Sequence, residues 1–104
     1  MTPPPPIELI IDAVCDAAGV NRAALVTGRN ACYARIALME LLQDFRGMSA
    51  SEAAIYTNYV RNGFTSRRLT AARPRTRVIV TEARWLIEQR HRPVGRNVLV
   101  EWPQ

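Results

Sequence analysis

The chain has no lysine, and between Glu52 and Glu82 it has no aspartate or glutamate. Six arginines lie in that interval, namely Arg61, Arg67, Arg68, Arg73, Arg75 and Arg77. The other eight arginines are matched by nine carboxylates, so the net charge of +5 comes from this one arginine-rich segment. Codon preference in a GC-rich genome explains arginine in place of lysine, but it does not explain the missing carboxylates. Because unrelieved like charge is unfavourable and a polyanion relieves it, the segment predicts nucleic-acid binding.

Metal-binding and membrane signals are also scarce. Cys15 and Cys32 have no CxxC spacing, and His91 alone cannot complete a zinc site with them. We therefore expect no metal and no cofactor, and two small buried cysteines in a reducing compartment. No apolar run approaches the ~20 residues that span a bilayer, and the proline-rich N-terminus does not resemble a secretory signal. The expected location is the bacterial cytoplasm, in association with the nucleoid.

The sequence contains few residue patterns that are typical of an enzyme. His91 lies beside Arg90 and Arg92 near a predicted helix end, which suits an interaction with last-turn carbonyls better than general-base catalysis. The carboxylates are scattered, and no GxxxxGK[ST] phosphate-binding loop is present. We therefore expect no catalytic activity.

The length of 104 residues predicts one domain, and the residue patterns predict an all-α fold of five to six short helices. We expect a disordered proline-rich leader over residues 1–6, a helical domain over residues 7–92, and a strand-like tail over residues 93–104. The first helix begins near Pro6 and ends at Gly19, and Asn21 caps a short helix through Val26. A long third helix runs from about Ala31 to Arg46, and the capping box Ser49–Glu52 begins a fourth. A short helix follows from Thr65 or Ser66 to about Ala72, and a last helix runs from Thr76 or Arg77 to about His91.

Two tryptophans leave alternatives open. Trp102 belongs to the alternating stretch Asn97–Trp102, and a single strand has no partner in a helical domain. This tail either packs irregularly or pairs with a second copy to form a homodimer. Trp85 either packs in the core, which is the favoured interpretation, or anchors a protein interface.

The helix capped at Ser49, the turn at Arg61-Asn62-Gly63 and the short helix that follows are in helix-turn-helix order. The N-terminal residues of the second helix in this motif meet base edges in the major groove. Arginine can donate twice to guanine, and hydroxyl groups can serve bases or phosphates. The predicted DNA-contacting residues here are Arg61, Asn62, Thr65, Ser66, Arg67, Arg68 and Thr70, with Arg73, Arg75 and Arg77 as phosphate contacts beside Pro74.

A series of short segments resembles the C-terminal DNA-binding domain of DnaA-type replication initiators, which has a Trp-repressor-like helix-turn-helix fold. The segments are Ala17-Ala18-Gly19-Val20, Ala24-Leu25-Val26, Thr27-Gly28-Arg29-Asn30, Tyr33-Ala34-Arg35 and Met48 to Ala54. The resemblance covers roughly residues 10 to 90. It implies that Arg29 and Asn30 lie in a basic loop that reaches the minor groove and phosphates. It also implies that Arg35 faces the DNA backbone, and that Thr65 and Ser66 replace the family's recognition-helix hydroxyls.

Two departures from that family limit what the resemblance implies. Gly63-Phe64 replaces the family's Asp-His pair, so base preference is not inherited, and the ATPase module is absent. The chain instead resembles a regulator of phages or phage-derived gene-transfer systems that uses the same fold. We expect sequence-specific binding of duplex DNA in transcription control, with the transcription machinery as a further partner. A protein-interaction module, a small-terminase-like packaging protein and an RNA-binding protein are the alternatives.

Overall fold

The structure is a computed structural model that describes residues 3–27, 31–57 and 71–91. These residues form five helices: α1 (Ile7–Ala18), α2 (Arg22–Thr27), α3 (Cys32–Arg46), α4 (Ala50–Thr57) and α5 (Pro74–Arg90). No strand occurs among them, which confirms the predicted all-α class. The turn at Asn62, most of the predicted helix over 65–72 and the tail over 93–104 lie outside the described residues. Ala71 and Ala72 have helical backbone, and the chain bends at Arg73.

Local sequence signals place several helix ends as predicted. Gly19 and Gly47 have φ values of 71° and 66°, a left-handed conformation that ends α1 and α3. The Asn21 side chain accepts a hydrogen bond from the Ala24 amide at 2.7 Å and caps α2. The capping box is complete, because the Ser49 amide donates to Glu52 at 3.0 Å and the Glu52 amide donates to the Ser49 hydroxyl at 3.2 Å.

One of the two helix starts beside a proline differs from the prediction. Pro6 has φ −61° and ψ 149° and directly precedes α1, which begins near it as expected. Pro74 is the first residue of α5, which therefore begins two or three residues before Thr76 or Arg77. A proline tolerates this first position because its φ is already helical and the amide it lacks would have no partner within the helix.

Residues 3–6, which belong to the expected leader, contact the helical domain. Pro5 is buried, and its carbonyl accepts a hydrogen bond from Arg46 at 3.1 Å. The carbonyl of Pro3 lies 2.8 Å from His91 Nε2. Since a carbonyl can only accept, Nε2 carries the proton in this contact. The His91 ring therefore binds Pro3 instead of the last-turn carbonyls of α5.

The core lies between α1, α3 and α5, with α2 and α4 packed on α3. Its fully buried large side chains include Ile10 and Val14 of α1, Leu38, Leu41 and Leu42 of α3, Val80 and Ile87 of α5, and Leu25 of α2. Cys15 is buried and Cys32 half-buried, both as free thiols, and burial raises the pKa of the Cys15 thiol. No helix in the described part of the chain is long and apolar enough to cross a membrane.

Candidate nucleic-acid interface

The predicted DNA-contacting residues divide into two groups. Four of them lie in the described part of the chain: Arg35, Arg73, Arg75 and Arg77. The other nine lie outside it: Arg29, Asn30, Arg61, Asn62, Thr65, Ser66, Arg67, Arg68 and Thr70. The geometry of the candidate surface is therefore defined by the start of α5 and its neighbours on α3.

Three arginines outside the arginine-rich segment bind carboxylates in the described structure. The N–O distances are 2.6 and 3.0 Å for Arg22 with Glu8 and Asp12, 2.8 Å for Arg84 with Asp44, and 2.7 Å for Arg90 with Asp16. Such exposed pairs add little to stability. They do neutralise positive charge locally, so the positive excess of the molecule is not spread over these surfaces.

Arg73 and Arg75 stand at the N-terminal end of α5 without a carboxylate partner among the described residues. Both are exposed, and Arg73 occupies the position just before the helix. The Arg75 guanidinium lies 5.3 Å from the centroid of the Tyr33 ring, a cation–π contact with the start of α3. A neutral ring orients the guanidinium but does not cancel its charge. The first turn of α5 contains no acidic residue, so the helix dipole adds to the positive potential at this end.

Arg77 differs from Arg73 and Arg75 because α3 supplies a carboxylate partner for it. Its guanidinium donates to Glu40 at 2.7 Å, and this hydrogen bond raises the Arg77 pKa. The Arg77 side chain is 47 % exposed and the Glu40 side chain 29 % exposed. A phosphate would therefore have to compete with the Glu40 carboxylate for Arg77.

Arg35 holds two helices together. Its guanidinium is partly buried and donates to the carbonyl of Leu25 at 3.0 Å. This hydrogen bond joins the last turn of α2 to the first turn of α3. The structure thus gives Arg35 a positioning role for α2, the helix that directly precedes residues 28–30.

Sequence reasoning missed two residues of this surface, Tyr33 and Glu40. Both lie on α3, and both meet arginines of α5 because the two helices run side by side in the same direction. The contacts Tyr33–Arg75 and Glu40–Arg77 advance along both helices together. Aromatic and acidic residues on a predicted helix carry no signal of such contacts, since these depend on how α3 and α5 pack.

Within the described residues, no three histidine, cysteine, aspartate or glutamate side chains come together in a way that could hold a metal ion. Comparison with known proteins gives no assignment: no protein-family model, curated protein or solved structure matches the chain.

Proposed function

We propose that this chain is a sequence-specific duplex DNA-binding protein of the helix-turn-helix class that acts in transcription control. One observation carries the proposal. The positive excess comes from a single segment without carboxylates, while Arg22, Arg84 and Arg90 elsewhere are each bound to an acidic partner. A surface with uncompensated arginines favours a polyanionic partner.

The proposal divides the arginines by role. Helix α4, with its completed capping box, is the first helix of the motif, and residues 65–72 form the reading helix. Arg67 and Arg68 read base edges in the major groove. Arg73 and Arg75, beside the positive end of α5, bind phosphates and fix the register on the duplex.

The DnaA resemblance supplies the remaining part of the proposal. Arg29 and Asn30 contact the minor groove next to the site of the reading helix. The hydrogen bond from Arg35 to Leu25 supports this role indirectly, because it fixes the helix from which residues 28–30 continue. The protein would act in the bacterial cytoplasm as a phage-like regulator without cofactor or catalytic activity, with the transcription machinery as a further partner.

The test is a binding titration with duplex DNA, single-stranded DNA and structured RNA of equal length. We expect the duplex to bind most tightly. The double variant Arg73→Gln/Arg75→Gln should weaken binding to every duplex. A matched double variant, Arg22→Gln/Arg90→Gln, also removes two charges but only ones already paired with carboxylates, so it should bind almost as the wild type does. Preference for RNA, or equal losses in the two double variants, would contradict the proposal.

A second candidate function is an oligomerising protein-interaction module, which includes the packaging role. One observation favours it: Trp85 is 58 % exposed. The favoured expectation that Trp85 packs in the core is therefore wrong. Helix α5 turns its other side to the core, where Ala83 and Ile87 are buried.

A further inference from the structure

One face of α5 carries two large exposed apolar side chains in the part of the chain that the structure describes. Val78 is 65 % exposed and Trp85 is 58 % exposed, and the two residues lie two helical turns apart, so their side chains share a direction. A groove of about 470 Å³ follows this face and is lined by Arg77, Val78, Thr81, Glu82 and Trp85. Single exposed apolar residues are ordinary on protein surfaces. Two large ones on the same face of one helix, with a groove beside them, form a candidate interaction site.

The charges beside this face are complementary to one another. Arg75 and Glu82 are also two turns apart, and both lie on the same flank of the Val78–Trp85 stripe. The Glu82 side chain has no hydrogen-bond or ion-pair partner among the described residues, and the Arg75 guanidinium has a cation–π contact with Tyr33 but no carboxylate partner there. When two identical helices pack antiparallel about a two-fold axis, equivalent flanks face each other. Arg75 of each chain then meets Glu82 of the other chain.

We propose that α5 forms a homodimer with a second copy of this chain, packed antiparallel about a two-fold axis near Val78. Such an interface is self-complementary, so every contact occurs twice. The indole of Trp85 covers Pro74 of the second copy, and Val78 packs beside its counterpart near the axis. Two Arg75–Glu82 ion pairs lie beside the apolar contact and determine how the two helices align. This places the dimer contact on α5 instead of the C-terminal tail, and it does not depend on DNA binding.

The size of the contact sets the expected strength. A single pair of crossing helices buries less than the roughly 1,600 Å² of a standard interface. We therefore expect a reversible dimer that forms as the protein concentration rises. Sedimentation velocity of the full chain without DNA should show a weight-average mass that increases from 11.7 kDa towards twice that value. A mass of 11.7 kDa at every concentration would overturn the proposal.

Two serine variants locate the interface. Trp85→Ser should abolish association, because it removes the largest apolar contact. Ile55→Ser is the matched control, since Ile55 of α4 is even more exposed, at 77 %, but lies on another helix. The control should associate as the wild type does. Equal loss of association in both variants would show that another apolar surface mediates it.

A charge exchange tests the antiparallel register. Glu82→Arg and Arg75→Glu should each raise the dissociation constant at least about tenfold, because each places like charges opposite one another. The double variant Arg75→Glu/Glu82→Arg should recover wild-type association. Failure to recover, with helical circular dichroism intact, would overturn this pairing. Since Arg75 also belongs to the proposed DNA surface, these measurements use no DNA, and failure of the dimer is distinguishable from failure of DNA binding.

Discussion

Replacing Glu40 by glutamine should strengthen DNA binding. A carboxylate oxygen of Glu40 lies 2.7 Å from a guanidinium nitrogen of Arg77. Glutamine has the same size and an acceptor oxygen, but it lacks the negative charge. An exposed pair contributes at most about 1 kcal/mol, so the variant should unfold only a few degrees below the wild type. The freed Arg77 lies on the same end of α5 as Arg73 and Arg75. We expect it to become an additional phosphate contact.

The magnitude follows from counterion release. Each added contact steepens the slope of log affinity against log salt by about 0.9, which corresponds to about eightfold in affinity between 1 M and 0.1 M salt. Fluorescence anisotropy with one labelled duplex at several salt concentrations measures both quantities. Glu40→Gln should therefore show a steeper slope and tighter binding at low salt than the wild type.

The control for Glu40→Gln is Asp16→Asn, which frees Arg90 from its pair at the other end of α5. Arg90 lies thirteen residues after Arg77, or about 20 Å along the helix. That distance exceeds the screening length of about 10 Å at 0.1 M salt. Asp16→Asn should leave the slope unchanged, although it alters the net charge by the same amount. Equal slopes for the two variants would refute the placement of the DNA surface at the start of α5.

The remaining predictions concern the reading helix, the basic loop and the capping box. Arg67→Ala should reduce the favourable free energy of DNA binding by about 1–3 kcal/mol and relax the preference at one base pair, whereas Arg73→Ala should weaken binding to all sequences alike. Sequence-independent losses from both variants would contradict the assignment of the reading helix. Arg29→Ala should weaken binding most on sites flanked by A·T pairs, whose narrow minor groove attracts arginine. If this variant binds DNA as the wild type does, the resemblance to the DnaA domain does not extend to this loop. Glu52→Gln should reduce thermal stability at pH 7 but not at low pH. The Ser49 amide lowers the Glu52 pKa below its ordinary value of 4.5, so the stabilisation is present above that value and is lost as pH falls through the folded-state pKa. A stability difference that persists in acid would exclude the charge as its origin.

Helix positions were largely predictable because their signals are local. Gly19 and Gly47 end helices through backbone conformations that other residues adopt at a cost, and Asn21 and Ser49 begin helices through their own side-chain oxygens. Pro74 misled the prediction because proline both stops one helix and begins another. The sequence alone does not show whether Pro74 ends the predicted helix before it or begins the helix after it.

The candidate surface was less predictable because its electrostatics depend on packing. The segment from Arg61 to Arg77 shows an excess of positive charge, but only the packing of α3 on α5 shows that Glu40 neutralises Arg77. The role of Arg35 was likewise hidden, since a guanidinium can donate to a backbone carbonyl as well as to a phosphate. Trp85 was expected in the core because large aromatic residues usually gain from burial, yet the apolar stripe of α5 that includes Ala83 and Ile87 fills that space.

The salt dependence of duplex binding tests the central claim most directly. If Arg67 and Arg68 read base edges and Arg77 remains with Glu40, the three other arginines of the segment can meet phosphates, and the slope of log affinity against log salt should be about −2.7. The measurement needs one duplex, the wild-type chain and a range of salt concentrations. A slope near zero, or no binding at low salt, would contradict DNA binding by this segment.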